Sequence, residues 1–181
     1  MTQKIHTWKR VRSEPVADCK VFKVRRDYSV NSETGKEFPF YCIENSAWVN
    51  VIPVTKSGEV VLIEQYRHGI EEITLEIPGG LVDGDEDIKF AANRELLEET
   101  GYSPRETIYL GKSRPNPAIQ DNWVYHYLAI DCKKTHEPEF DSTESVATKL
   151  VPFEAVKNLI ADGKITHSLV IAAFYWHSLK N

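Results

Sequence analysis

The sequence predicts an α/β sandwich built on a mixed sheet, and three observations carry that prediction. Apolar, β-branched runs dominate the middle of the chain, one helical pattern interrupts them, and two amphipathic helical patterns close it. The 181 residues are the size of one ordinary domain with a small appendage, enough to bury a sizeable core. In order, Lys20 to Tyr28 alternates as a strand, and NSETG at Asn31 to Gly35 is a turn before a strand at Phe38 to Ile43. Trp48 to Val54 and Val60 to Tyr66 flank the turn TKSG as a hairpin. Thr74 to Ile77 is a short strand stopped by Pro78-Gly79-Gly80. A helix over about Asp85 to Thr100 follows, and Gly101 closes it as a C-terminal cap. Strands are expected at Ile108 to Lys112 and Trp123 to Ile130, separated by the loop SRPNPAIQDN. Lys133 to Ser145 reads as a polar loop and Thr148 to Val151 as a last strand. Phe153 to Ala161 and Ser168 to Leu179 read as helices.

Composition narrows the function. A net charge of −5 gives no electrostatic reason to expect nucleic-acid binding, although a local basic pocket for a phosphorylated small molecule is compatible with it. Cys19, Cys42 and Cys132 are odd in number and lack a CxxC spacing, which argues against a disulfide framework or a zinc site and fits a reducing compartment. The opening MTQKIHTWKR lacks the apolar run of a signal peptide, and no segment approaches a membrane-spanning length of apolar residues. The expectation is a cytoplasmic protein with no membrane partner.

The central helix carries the chemistry. At about 100° per residue, Ile88, Ala91, Ala92, Glu95, Glu98 and Glu99 share one side, with Phe90 and Leu97 roughly opposite. If the alanines pack on the sheet, the glutamates sit at the mouth of that contact. Like charges three and four apart repel, and the negative end of the helix dipole adds about 0.3–1 kcal/mol per charge. A hard divalent cation reverses both signs. Oxygen ligands at this density suit Mg²⁺ or Mn²⁺, and Arg94 is placed to orient a carboxylate. On the helix alone, the plain alternative is a solvated acidic face.

From Gly80 the chain reads G-x5-E-x7-R-E-L-x-E-E-x-G-Y, comprising Gly80, Glu86, Arg94, Glu95, Leu96, Glu98, Glu99, Gly101 and Tyr102. This resembles the signature of the Nudix hydrolases, departing from it at Tyr102, where an aliphatic is more usual. The resemblance implies a Nudix-type α/β/α sandwich and a loop–helix–loop that holds divalent cations. It also implies hydrolysis of a nucleoside diphosphate linked to another moiety. By it, Glu95, Glu98, Glu99 and the Gly79 carbonyl are metal-ligand candidates, Glu98 and Glu99 are catalytic candidates, and Glu86 braces the loop. EQYRHG at Glu64 to Gly69, LEIPGG at Leu75 to Gly80 and GKITHS at Gly163 to Ser168 are similar to the ADP-ribose and nucleotide-sugar pyrophosphatase branch. So is the β-rich region 1–45, which by that resemblance forms an intertwined homodimer, leaving 46–181 as the catalytic domain.

Within that branch, Arg67 is the candidate to grip the diphosphate, because a planar, permanently charged fork fits phosphate oxygens. Glu76 either clamps a sugar hydroxyl or pairs with a nearby base. Asn116, beside Pro117, is placed to hydrogen-bond phosphate or ribose, unless PNP only enforces an extended turn. Trp8 either stacks on a base, worth about 1–3 kcal/mol, or packs on its own sheet or at a dimer contact. Asp162 and Lys164 either simply close a helix around the Gly163 cap or place charges near the sugar side of the site. The resemblance takes the general base from the acidic stretch HEPEFDSTESV, where Glu144 aligns best and Asp141 and Glu139 are rivals. The expected activity is metal-dependent hydrolysis of nucleoside diphosphate sugars such as ADP-ribose or GDP-mannose, with Mg²⁺, or Mn²⁺ in its place. A nucleoside triphosphate pyrophosphatase and a non-catalytic nucleotide-sugar sensor are the alternatives.

Overall fold

The computed structural model describes residues 5–140 and 145–180, and these fall into two compact units. The first comprises the described residues of Met1–Ser46 together with Asn116–Asn122; the second comprises the described residues of Ala47–Pro115 and Trp123–Asn181.

The first unit is an antiparallel sheet of β1 (Trp8–Asp18), β2 (Lys23–Asn31) and β3 (Glu37–Glu44), in that order. β1 lies in the region expected to be β-rich, but no individual strand is placed there by the sequence. The strand is exposed along nearly its whole length, and its register slips between Arg10 and Arg12 and again between Pro15 and Ala17. Polar faces and bulges erase the alternation that marks a strand. The β2–β3 turn forms where expected. The Asn31 side chain accepts from the amides of Glu33 and Thr34, and Gly35 takes φ +67°. Segment 116–122 joins this sheet. Ile43 bridges Gln120 in parallel, its N–H donates to the Ile119 carbonyl at 2.7 Å, and Arg25 Nη1 donates to Asp121 at 2.6 Å.

Asp27 is the unit's buried charge, accepting from Ser13 Oγ at 2.6 Å, Arg25 Nε at 3.0 Å and Arg10 Nη1 at 3.3 Å. Burial pushes its carboxyl up, but these hydrogen bonds outweigh burial and hold it at about 2.

The second unit is an eight-stranded mixed sheet in the order β11-β5-β4-β10-β8, with β6 on β5, β7 on β4 and β9 on β10. Its strands are β4 (Trp48–Thr55), β5 (Glu59–Arg67), β6 (Glu72–Glu76), β7 (Gly79–Leu81), β8 (Tyr102–Ser103), β9 (Glu106–Ser113), β10 (Val124–Lys134) and β11 (Val146–Pro152). β4 and β10 run parallel, and the other pairs are antiparallel. Alternation along β4 divides the core. Val49 and Val51 face α1 (Ile88–Thr100) with Ala91, Ala92 and Leu96. Ile52 faces α2 (Val156–Ala161) and α3 (Ser168–Ser178) with Leu62, Val156, Val170 and Ala173. Helices on both faces of a mixed sheet make the α/β/α sandwich the sequence predicts. Phe153–Ala155, expected at the start of a helix, forms a 3-10 turn before α2.

Asp27→Asn is expected to lower stability at pH 7 by about 1–3 kcal/mol, because it leaves buried donors facing a weaker acceptor. A carboxyl lowered by folding stabilises above its unfolded range and loses that contribution as pH falls through its folded value. In urea unfolding, the gap between wild type and variant therefore closes as pH falls from about 4 towards about 2.

Candidate functional site

The site is built from the turn before α1, the helix itself and its last carbonyls. Asp87 caps the helix by accepting from the Phe90 amide at 3.0 Å, so α1 begins at Ile88 rather than near Asp85. Gly101 ends it at φ +73°, donating to the Leu97 carbonyl. A Cβ at Gly101 would lie 2.1 Å from the His136 carbonyl oxygen, so both backbone conformation and space require glycine.

Because Ala91 and Ala92 are small, α1 lies close on the sheet, and the carboxylates that continue their stripe grade outwards. Glu99 is 6 % exposed, the Glu95 side chain 15 % and the Glu98 side chain 43 %. Gly79 and Gly80 of β7 run alongside. The Gly79 amide donates to Glu99 Oε2 at 2.9 Å. A Cβ on Gly80 would sit 2.4 Å from Glu95 Oε1. The missing side chain is therefore a cradle filled by a carboxylate.

Arg94 holds the rest together. Its Nε and Nη2 fork onto Glu86 at 3.2 and 2.7 Å, and Nη2 also donates to the Leu81 carbonyl at 3.0 Å. Its Nη1 reaches Glu95 Oε1 at 3.0 Å and Glu98 Oε2 at 2.9 Å. Three carboxylates thus share one guanidinium. The bond to Glu86 is the largest influence raising the Arg94 pKa, and the same bond holds the Glu86 carboxyl below its usual range. No basic residue lies in the last turn of α1 to answer the helix dipole. The cluster keeps an excess of negative charge.

Among the described residues no three His, Cys, Asp or Glu side chains are gathered as they would be around a metal ion. Glu95 and Glu98 turn to Arg94, and Glu99 to Gly79. The donors are nevertheless all hard oxygens, and with the excess charge the set fits a divalent cation of the Mg²⁺ class.

The same unit orients a second arginine. Arg67 donates through Nε and Nη2 to the two Glu76 oxygens at 2.8 and 2.7 Å, and Thr74 Oγ1 donates to Glu76 Oε1 at 2.6 Å. Of the two expectations for Glu76, pairing with a base is the arrangement present. Its side chain is 3 % exposed; burial pushes its carboxyl up, and the bonds from Arg67 and Thr74 hold it below the usual range. His167, just before α3, brings Nδ1 to 3.7 Å from Glu76 Oε2, and burial lowers its pKa. Lys164 lines a cavity of about 410 Å³ with Lys149, Glu64 and Thr74.

Other expected residues lie in the first unit. Trp8 opens β1, edge-on to Phe38 and Phe40 with ring centroids 5.9 and 5.1 Å away. Asn116 is exposed on the segment that joins the N-terminal sheet. Glu144 and Asp141 lie outside the described residues. Glu139 is described, and its N–H donates to the Glu98 carbonyl at 2.9 Å, so the acidic stretch starts at the carbonyl end of α1. Sequence reasoning missed Thr74, His167 and Asn50. Asn50, the strand partner of Gly79, carried a signal: a polar residue inside the apolar run WVNVIPV.

The comparisons with known proteins agree with this geometry. Residues 46–174 match the NUDIX domain. The chain is 27 % identical over 178 residues to the methanol dehydrogenase activator of Bacillus methanolicus, covering 98 % of this chain and 96 % of that protein. It is 26 % identical over 173 residues to the ADP-ribose pyrophosphatase of Bacillus subtilis (strain 168), covering 95 % and 93 %. A solved structure, "Crystal structure of ADP compounds hydrolase", superposes with a TM-score of 0.84 over 98 % of this chain and 95 % of that one. At 22 % identity, that likeness bears on the fold alone.

The two glycines of β7 respond differently to a methyl group. In Gly80→Ala the obstacle is the end of the Glu95 side chain, which can move, so urea unfolding should match wild type within about 0.5 kcal/mol. In Gly79→Ala the obstacle is the Val49 carbonyl oxygen at 2.2 Å, fixed in β4, and a loss of about 1–3 kcal/mol is expected.

Proposed function

The chain belongs to the NUDIX family, and from that premise we propose that this Nudix hydrolase cleaves the diphosphate linkage of nucleoside diphosphate sugars of the ADP-ribose type. The products are a nucleoside monophosphate and a sugar phosphate. The observation that carries the reading is the cluster of Glu86, Glu95 and Glu98 on one guanidinium, beside the Gly-Gly pair of β7 whose Gly79 amide holds Glu99. The oriented Arg67–Glu76 pair in the same unit supports it. So do the names of two relatives, the ADP-ribose pyrophosphatases of Bacillus subtilis (strain 168) and of Mycobacterium tuberculosis (strain ATCC 25618 / H37Rv), the latter 27 % identical over 169 residues.

In this reading Glu95, Glu98, Glu99 and the Gly79 carbonyl hold Mg²⁺, or Mn²⁺ in its place. When bound, the cation supplies charge neutralisation on the diphosphate and acidifies coordinated water. Arg94 keeps Glu95 and Glu98 on the helix face turned to the sheet. The Gly79 amide fixes Glu99. Arg67, its planar fork set by Glu76 and Thr74, grips a diphosphate oxygen. An acid of the stretch tied to the Glu98 carbonyl takes the proton of the attacking water; Glu144 is the first candidate, with Asp141 and Glu139 behind it. Lys164, at its cavity, lies towards the sugar, and Asn116 and Trp8 are assigned to the nucleotide. The exposed aromatics Trp8, Phe38 and Phe40 support a homodimer formed through the N-terminal sheet. Residues 1–45 serve as that dimerisation element, and 46–181 carry the catalysis.

Hydrolysis of ADP-ribose and GDP-mannose, assayed with Mg²⁺ by product analysis, is expected to exceed hydrolysis of 8-oxo-dGTP. The reverse order would favour the nucleoside triphosphate reading. EDTA should abolish turnover and Mg²⁺ restore it. Glu99→Gln should lower kcat by about 10²–10³ with its circular dichroism unchanged, and near wild-type turnover in that variant would overturn the assignment.

A further inference from the structure

Beside Gly79 and Gly80 of β7 runs a row of polar side chains that the hydrolysis does not itself employ. Asn50 of β4 is 9 % exposed and His126 of β10 is 0 % exposed. They are direct partners across the parallel pair, so their side chains leave the same face of the sheet. Asn50 is also the partner of Gly79 across β4 and β7. On the other side, His126 Nε2 lies 2.8 Å from the Ser113 hydroxyl.

Two buried atoms in this row have no hydrogen-bond partner among the described residues: Asn50 Nδ2 and His126 Nδ1. The first is an obligate donor. The second is an acceptor in the neutral tautomer that carries its proton on Nε2 and donates it to Ser113. Burial lowers His126 to about 4, which keeps the ring neutral near pH 7. A donor and an acceptor, both buried and on adjacent positions, are placed for one internal water to bridge them. Asn50 also touches the site. A Cβ built on Gly79 would lie 2.8 Å from Asn50 Oδ1, so the amide oxygen borders the space left open by the glycine whose N–H holds Glu99.

We propose that Asn50 and His126, the latter with its tautomer set by Ser113, form a buried relay that fixes the Gly79 amide and, through it, the Glu99 carboxylate. Asn50 and His126 are then positioning residues for the reaction. The effect on turnover rests on the hydrolytic reading of Glu99; the effect on the Gly79 amide does not.

Hydrogen exchange of the Gly79 amide in metal-free, isotope-labelled protein reads the Gly79–Glu99 bond, and kcat and KM for ADP-ribose read its consequence. His126→Asn keeps a side-chain acceptor near the Nδ1 position. His126→Gln keeps its amide at the Nε2 end, beside Ser113. Asn50→Leu removes the amide at similar volume. His126→Gln and Asn50→Leu are expected to speed Gly79 exchange by roughly fivefold or more. They should also cut kcat by about tenfold while KM stays within about twofold. His126→Asn should stay within about twofold of wild type in exchange and in kcat. Equal behaviour of the two His126 variants, or unchanged Gly79 exchange in Asn50→Leu, overturns the relay. If Asn50→Leu does not fold, the His126 pair decides alone. If Gly79 exchange responds as expected while Glu99→Gln keeps wild-type turnover, the relay stands and the hydrolytic reading falls.

Discussion

One guanidinium holds the acidic end of α1 in order. Arg94 spends its fork on Glu86 and its remaining nitrogen on Glu95 and Glu98, while Nη2 also reaches back to the Leu81 carbonyl. A lysine could not do this: an ammonium is a point charge with three donors, whereas these contacts need a rigid plane with five. The single positive charge is outnumbered by its partners, and the helix dipole points its negative end at the same place. The cluster is thus kept in geometry without being neutralised. In the proposed reading, that residual charge is what suits the end of this helix to a cation rather than to a closed salt-bridge network.

Order in the carboxylates depends in turn on how close the helix can come to the sheet. Ala91 and Ala92 are fully buried in one cluster with Val49 and Val51. The approach brings Glu99 within reach of a backbone amide in β7 and puts Glu95 over a residue with no side chain. Each step is steric before it is electrostatic. Alanine sets the spacing, glycine vacates the volume, and charge fills it. Part of the cost of desolvating Glu99 is met by the directed N–H bond from Gly79.

The legible part of the sequence was the part where spacing alone determines a face. The turn, α1, its caps and the acidic stripe follow from residues within a few turns of each other, and the helical period places them. The hairpin of β4 and β5 was equally local. Three things were not. β1 carries polar residues on both faces and slips register twice, so no period survives in it. The pairing of Arg67 with Glu76 depends on how β5 and β6 register, with Arg67 opposite Glu72 and Glu76 opposite Ile63, and nine residues of sequence do not reveal that. The assignment of 116–122 to the N-terminal sheet rests on contacts to Ile43 and Arg25, more than seventy residues away. Long-range register was the information the single chain withheld. Asn50 lies between the two cases: its polarity was visible, but its meaning required knowing that Gly79 is its neighbour.

The Arg67–Glu76 pair raises a question of sign that its geometry answers. A carboxylate that orients an arginine also cancels its charge, which would be counterproductive if Arg67 acted by long-range attraction. Glu76, however, engages Nε and Nη2, one edge of the guanidinium, and is itself almost wholly buried. Long-range attraction of an anion is in any case screened beyond about a Debye length, roughly 8 Å at physiological salt. Directed donors act within that range and do not depend on net charge. Fixing the fork in advance removes the rotamer entropy that an exposed arginine would lose on binding, about 0.5–1.5 kcal/mol for such a side chain. Thr74 and His167 then have a coherent role as the frame of the frame: the hydroxyl donates to one Glu76 oxygen, and the imidazole lies beside the other. In the proposed reading, precision of direction, gained by surrendering net charge, is what Arg67 contributes to holding a diphosphate oxygen in line with carboxylates fixed on a different element.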